Sequence, residues 1–324
     1  MNEHGAAERI HVQTIIGPRW VRVNLEPHKH NHQECSVKQW VRDLASVKWR
    51  RGKYSQSYQD ILLEQIFEHI GVRNTPPFCV EFGFNDASLT GGSGSNVANF
   101  VLNHGWRCLL LDGDHDNPSI NLHRHFLTAD NICDVFAEHG VPAEPEYISI
   151  DVDSTDLWLF RSLLTRYKAM VYTVEYNSCF PLDRAITFPD EATEGWQGDR
   201  GYGASLKALQ MVATEGGYSL LWVVPLLDAV FIRNDLIEDG SGELVFPLSR
   251  WKHATSFNHH LRLKDASRSA LFLDYETYVQ SGGDMAASRR SARDVARKSL
   301  LENPWSVNRC MRIATRTLDF LRGC

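Results

Sequence analysis

An α/β protein, built on a mostly parallel open sheet with helices on both faces, is the expectation from this sequence. Three observations carry it. Between residues 78 and 175, short apolar runs alternate with amphipathic stretches, the pattern of repeated strand–helix–strand units. Four of those runs end in an acid: Glu81, Asp112, Asp151 and Glu175. Two later runs, Tyr218 to Val224 and Ala229 to Arg233, are separated only by a short turn at Pro225 to Asp228. A parallel pair needs a crossover of a dozen or more residues, so this pair is expected to be antiparallel.

At 324 residues, 43% hydrophobic and 23% charged, the chain has room for one large domain or a domain with appendages. A formal charge of −6 argues against a general nucleic-acid or membrane-surface binder. The seven cysteines are scattered, with no Cys-x-x-Cys pair, which suits buried thiols in a reducing compartment better than a disulfide framework. The longest apolar stretch, Leu220 to Ile232, contains Pro225 and Asp228 and is too short to span a bilayer. A cytoplasmic location is expected, with no membrane or nucleic-acid partner. The oligomeric state is not legible.

Taken in order, residues 1–53 read as an N-terminal extension. Ile10 to Leu25 alternates weakly and suits a strand or two. His28, His30, His32 and Cys35 can ligate metal, but without a second ligand cluster at zinc spacing they also read as a solvated linker. Ser36 is placed to cap a short helix carrying Val37, Trp40, Val41 and Leu44. Residues 54–283 read as the main α/β domain. Ser57 suits the cap of a helix over Ile61 to Ile70, with Asp60 in its first turn. The opening strand is Phe78 to Phe82. Next come a helix over Ser95 to His104 and a strand over Arg107 to Leu111. Asp116 to His125 reads as a helix and Phe126 to Thr128 as a short strand. Asn131 to His139 reads as a helix, Tyr147 to Ile150 as a strand, Thr155 to Tyr167 as a helix and Met170 to Val174 as a strand. Residues 176–202 lack a period, and their aromatics suggest an ordered lid. Ala204 to Glu215 reads as a helix, ahead of the antiparallel pair. Residues 284–324 read as a basic helical appendage, Met285 to Leu301 and Pro304 to Leu321, with nine basic residues against four acidic ones.

Acids at successive strand ends on one sheet edge would define a single polar cleft, where open α/β sheets bind ligands. Gly83 permits close approach of backbone to a ligand. Asn85-Asp86 can hydrogen-bond an amino-acid-like group. Asp112 is placed to take a ribose diol, or to cap a helix. Asp130 and Asn131 can accept from an adenine amino group, or cap the next helix. Asp151-x-Asp153 and Glu175-x-Asn177 each point two oxygen ligands one way, because residues two apart in an extended chain share a face. Such oxygens suit a hard cation, Mg²⁺ or Ca²⁺. Otherwise these acids bind cofactor, cap helices or pair with Arg161 or Arg184.

Ser55-Gln56, Gln59-Asp60, Val80-Glu81-Phe82-Gly83, Ser95-Asn96, Gly105-Trp106, Leu110-Leu111-Asp112 and Ile150-Asp151-Val152-Asp153 together resemble the FkbM-like branch of class I S-adenosyl-L-methionine (SAM) methyltransferases. The resemblance spans roughly residues 54–233. It implies a Rossmann-like fold with a seven-stranded sheet closed by one antiparallel strand. SAM would lie over Glu81, Gly83 and Asn85, with Asp112, Asp130 and Asn131 completing its site. It further implies O-methylation of a small-molecule or sugar hydroxyl. The Asp-x-Asp and acid-plus-Asn segments also resemble the metal site of catechol- and caffeoyl-CoA-type O-methyltransferases. That likeness assigns Asp151, Glu175 and Asn177 to a metal, and Asp151 and Asp153 to catalysis. The glycine motif lacks its usual second and third glycines, and Tyr176 separates Glu175 from Asn177. Two other readings compete: a metal-dependent hydrolase or lyase, and a degenerate methyltransferase fold acting as a binding module.

Overall fold

The computed structural model of the protein describes residues 10–16, 19–25, 37–190, 201–238, 248–255 and 270–302. Seven strands form the central sheet: β1 (Phe78–Phe82), β2 (Arg107–Asp112), β3 (Leu122–Arg124), β4 (Tyr147–Ile150), β5 (Val171–Glu175), β6 (Tyr218–Val223) and β7 (Asp228–Arg233). Their order across the sheet is 3-2-1-4-5-7-6. The first five run parallel, and β7 lies antiparallel to both β5 and β6. This is the Rossmann-like class I methyltransferase fold.

The strands form where the sequence offers short runs that water cannot wet from either side. β1 is buried along its whole length, as a central parallel strand with helices on both faces must be. The longer helices are α1 (Gln59–Ile70), α2 (Ala98–His104), α3 (Ile132–Glu138), α4 (Asp156–Leu163), α5 (Leu206–Glu215), α6 (Tyr275–Gln280) and α7 (Met285–Glu302). α1 buries Leu62, Leu63, Ile66 and Phe67. Full burial of each such side chain is worth about 1.5–3 kcal/mol before entropy is counted. Phe67 packs edge-on against Phe100 of α2 and against Trp106. Val37, Val41, Leu44 and Trp49, from the expected N-terminal extension, lie in the same core. Ile10–Ile16 and Arg19–Leu25 pair as a separate antiparallel hairpin.

Three local expectations are corrected. Residues 116–125 are not a helix: only a single 3₁₀ turn forms, Pro118–Ile120. The Asn117 side chain accepts the Ser119 amide, and Asn121 adopts a left-handed conformation (φ 56°) that no α-helix continues. The third strand is therefore Leu122–Arg124, in register with Leu110–Asp112, and not Phe126 to Thr128. Leu122 is fully buried whereas Phe126 is exposed, so burial decided the register. Likewise Ser57 does not cap α1. The Asp60 carboxylate instead reaches back to accept the amides of Lys53 and Tyr54 and the Ser55 hydroxyl, while Ser55 Oγ accepts the Asp60 amide.

A second, small core lies beside the sheet. Cys179, Phe180, Ile186, Phe188 and Phe272 pack there against Ala292, Val295 and Ala296 of α7. A two-residue ladder, Ile186–Thr187 with Leu273–Asp274, joins the segment after β5 to the C-terminal part. Arg184 clamps the same junction, 3.0 Å from Asp274 and 2.7 Å from Asp294. The expected helix over Pro304 to Leu321 and the 28–35 histidine segment lie outside the described residues.

Candidate active site

The chain leaves β1 on one side for β2 and later returns on the other side for β4, so a crevice opens at the carboxyl ends between them. Gly83 forms its floor. Its φ is +77°, and a Cβ there would run into the carbonyl of Asp151. The turn continues through Asn85, also left-handed at φ 48°. The Asn85 amide donates to Asp112 Oδ2 (3.0 Å), while Asp112 Oδ1 accepts the amides of Asp114 and His115 and lies 2.8 Å from His115 Nδ1. Partial burial pushes the Asp112 carboxyl up, but those donors outweigh it and hold the group below its ordinary value. Asp112 thus locks the turn after β1 to the turn after β2 and stays ionised. No helix starts directly after it to be capped.

Beneath this rim Glu81 is buried. Its carboxylate accepts the Ser95 hydroxyl at 2.6 Å and the Asn96 amide at 2.8 Å. Burial nevertheless pushes it up to about 7, against the pull of the Ser95, Asn96 and Val97 donors. The Asn96 side-chain amide continues the network to Ser149 Oγ (3.1 Å) and Asp228 Oδ2 (3.4 Å), and Gln59 donates to the same Asp228 oxygen at 3.0 Å. Ser149 also accepts from Thr173, which pairs with the Tyr147 hydroxyl at 2.6 Å. Four strands and α1 are therefore tied together under the cleft by polar side chains. Asp228 is the first residue of β7 and sits opposite Glu175 in register.

The acidic group forms one wall. Asp151, Asp156 and Glu175 each bring a carboxylate oxygen within 4.8 Å of the others. Burial raises Asp151 well above its ordinary value, and the charges of Asp153 and Asp156 add to the effect. Glu175 is raised by burial and then by Asp151 and Asp153. Asp156 is pushed up to about 7 by burial, although the amides of Val152 (2.8 Å) and Ser154 (3.1 Å) donate to it. Asp153 is raised by burial and takes a left-handed backbone, φ 56°. Among the described residues no ion pair reaches any of these four acids. Arg184 is engaged with Asp274 and Asp294, and the Arg161 guanidinium lies over the rings of Trp158 and Tyr278. The buried Oε2 of Glu175 has no hydrogen-bond partner. Like charges, raised proton affinity and an orphaned oxygen are what a hard divalent cation would relieve.

The structure brings together Glu81, Gly83, Asn85, Asp112, Asp151, Asp153 and Glu175 along the sheet's carboxyl edge. Three other residues read from the sequence are engaged elsewhere. The Asn177 side chain donates to the Tyr202 carbonyl (2.8 Å) and accepts the Cys179 amide (2.9 Å), so it braces the segment after β5. The Asn131 side chain accepts the Thr128 amide and donates to the Phe126 carbonyl, closing a turn before α3. Asp130 is exposed in that turn. Sequence reasoning missed Asp156 and Asp228. The first has the position of a helix-opening acid. The second directly follows the hairpin turn, where an Asp is ordinary turn chemistry.

No family model matches the chain, and no curated protein matches it. Among solved structures it is similar to the MycE methyltransferase from the mycinamycin biosynthetic pathway, in complex with Mg and SAH. The identity is 12% and the TM-score 0.36, over 75% of this chain and 87% of that one.

Proposed function

We propose that the protein is a SAM-dependent methyltransferase that methylates a hydroxyl of a small molecule or sugar, with a divalent cation held at the acidic wall. The observation that carries the reading is the Gly83 turn. It lies at the switch point of a 3-2-1-4-5-7-6 sheet, where the Asp151 carbonyl stands in the place of a Cβ and so demands glycine, and Asp112 locks it from the neighbouring strand. The cradle fits a nucleoside-bearing ligand: backbone at its floor and an ionised carboxylate at its rim to accept a diol.

SAM would supply an electrophilic methyl group when bound. The chain's own residues do the rest. Gly83, Asn85 and Asp112 hold the ligand, and Glu81 fixes the turn from below through Ser95 and Asn96. Asp151, Asp156 and Glu175 would hold Mg²⁺ or Ca²⁺, whose part is to orient the acceptor and lower its hydroxyl pKa. Asp153 is raised by burial, which makes its carboxylate a stronger base to take the acceptor's proton as the oxygen gains the methyl group.

Thermal denaturation with and without ligand tests the reading. Millimolar SAM should raise the melting temperature, and Asp112→Ala should reduce that rise. No rise with SAM, in the presence or absence of Mg²⁺, overturns the proposal. A rise with Mg²⁺ alone would favour hydrolase or lyase chemistry instead.

A further inference from the structure

Away from the cleft, on the outer edge of the sheet, three histidines meet. His123 and His125 belong to a His-x-His sequence along and just past β3, and His139 ends α3. Residues two apart in a strand share a face, so His123 and His125 lean to one side while Arg124 points away. The Nε2 atoms of His125 and His139 are 2.9 Å apart. The His123 ring lies 4.4 Å from that of His139, centre to centre. All three side chains are half-buried, which leaves them reachable by a small ion.

The geometry points to a binding site for a borderline divalent transition ion of the zinc class, held by the Nε2 atoms of His125 and His139. The distances suit it. An ion about 2.0–2.1 Å from each nitrogen would see the present pair at about 90°, and a separation of about 3.3 Å would give the tetrahedral angle. A shift of a few tenths of an ångström, within the reach of two half-buried rings, completes either geometry. His123 keeps its own partner, its Nε2 2.8 Å from Asn121 Oδ1, and waters fill the remaining positions of the ion.

Proton chemistry favours the site as well. Burial, with the neighbouring His123 and His125, lowers the His139 pKa, which keeps the ring neutral and its lone pair available. The softer nitrogen set separates this site from the all-oxygen acidic wall: zinc-class ions prefer imidazole, whereas Mg²⁺ and Ca²⁺ prefer carboxylate. Bound metal would pin edge strand β3 to the end of α3.

Two measurements test it on the full chain. Metal-free protein is titrated with ZnCl₂ in excess MgCl₂, alongside His125→Gln/His139→Gln. The parent should bind one zinc that the variant binds at least tenfold more weakly, and far-UV circular dichroism should show the variant folded. Equal stoichiometry and affinity in both proteins overturns the proposal. Crystals of the parent grown with one equivalent of zinc should show an anomalous peak between the two Nε2 atoms. Peaks confined to the acidic wall or to residues 28–35 overturn it, and this arm stands even if the variant does not fold.

Discussion

Glu81→Gln isolates the energetic cost of the buried acid under the cleft. In the folded protein Glu81 titrates at about 7, against 4.5 for the ordinary carboxyl of an unfolded chain. Between those values the native state keeps a proton that the unfolded state has lost. Stability therefore falls as pH rises through that window; the loss is complete above 7 and absent well below 4.5. Integrated from pH 5 to pH 8, the penalty grows by about 2–3 kcal/mol. Glutamine cannot ionise, so this pH-dependent part disappears. It also puts an NH₂ where one carboxylate oxygen accepted from the Asn96 amide, or from the Ser95 hydroxyl and the Val97 amide. That loss is about 1–3 kcal/mol and is the same at both pH values. The assay is denaturant unfolding of parent and variant at pH 5 and pH 8. The stability difference between the two proteins should move by about 2–3 kcal/mol in the variant's favour on going to pH 8. A difference that stays constant within about 0.5 kcal/mol would show that Glu81 is not a buried acid with raised affinity, and the account of the cleft floor would fail.

Three further outcomes are expected. Gly83→Ala places a Cβ against the Asp151 carbonyl at φ +77°; left-handed strain alone costs about 1–2 kcal/mol, and calorimetric titration should find SAM binding lost while the sheet's far-UV signal persists. Glu175→Gln removes one of the mutually repelling acids, so without metal the variant should melt higher than the parent at pH 8, and its stabilisation by Mg²⁺ should shrink; a larger Mg²⁺ effect in the variant refutes the assignment. Arg184→Ala strips the cationic partner from Asp274, which is largely buried, at about 1–3 kcal/mol, and limited proteolysis should then cut between α6 and α7 faster than in the parent.

The frame of the fold was legible because parallel strands buried on both faces leave a simple signature. Phe78–Phe82, Arg107–Asp112, Tyr147–Ile150 and the antiparallel β6–β7 pair fall where unbroken apolar runs and a short turn demanded them. The third strand was not legible. Leu122–Arg124 carries one apolar residue between polar neighbours, and only pairing with Leu110–Asp112 makes it a strand. The acids at strand ends were readable one at a time. Which of them converge was not, because Asp156 enters from a helix start and Asp228 from the far end of a hairpin. Neither sits in the strand–turn pattern that marked the others. Asn177 had the right spacing from Glu175, but its amide answers buried backbone groups of Tyr202 and Cys179, a need that sequence spacing does not reveal.

The reversed direction of β7 has a consequence for how such a sheet can be altered. The parallel strands serve the cleft from their carboxyl ends, and after β1, β3, β4 and β5 the chain enters a crossover that must also build a helix. β7 offers its first residue, Asp228, reached through the four-residue turn 224–227. In that turn Leu226 is left-handed (φ 69°), and its amide is held by the Tyr176 hydroxyl at 3.0 Å. A hairpin turn can gain or lose residues without rewiring the chain. The ligand wall beside Glu175 is thus the part of this scaffold that can be recut most cheaply, by grafting a longer turn between β6 and β7 while every crossover helix stays in place.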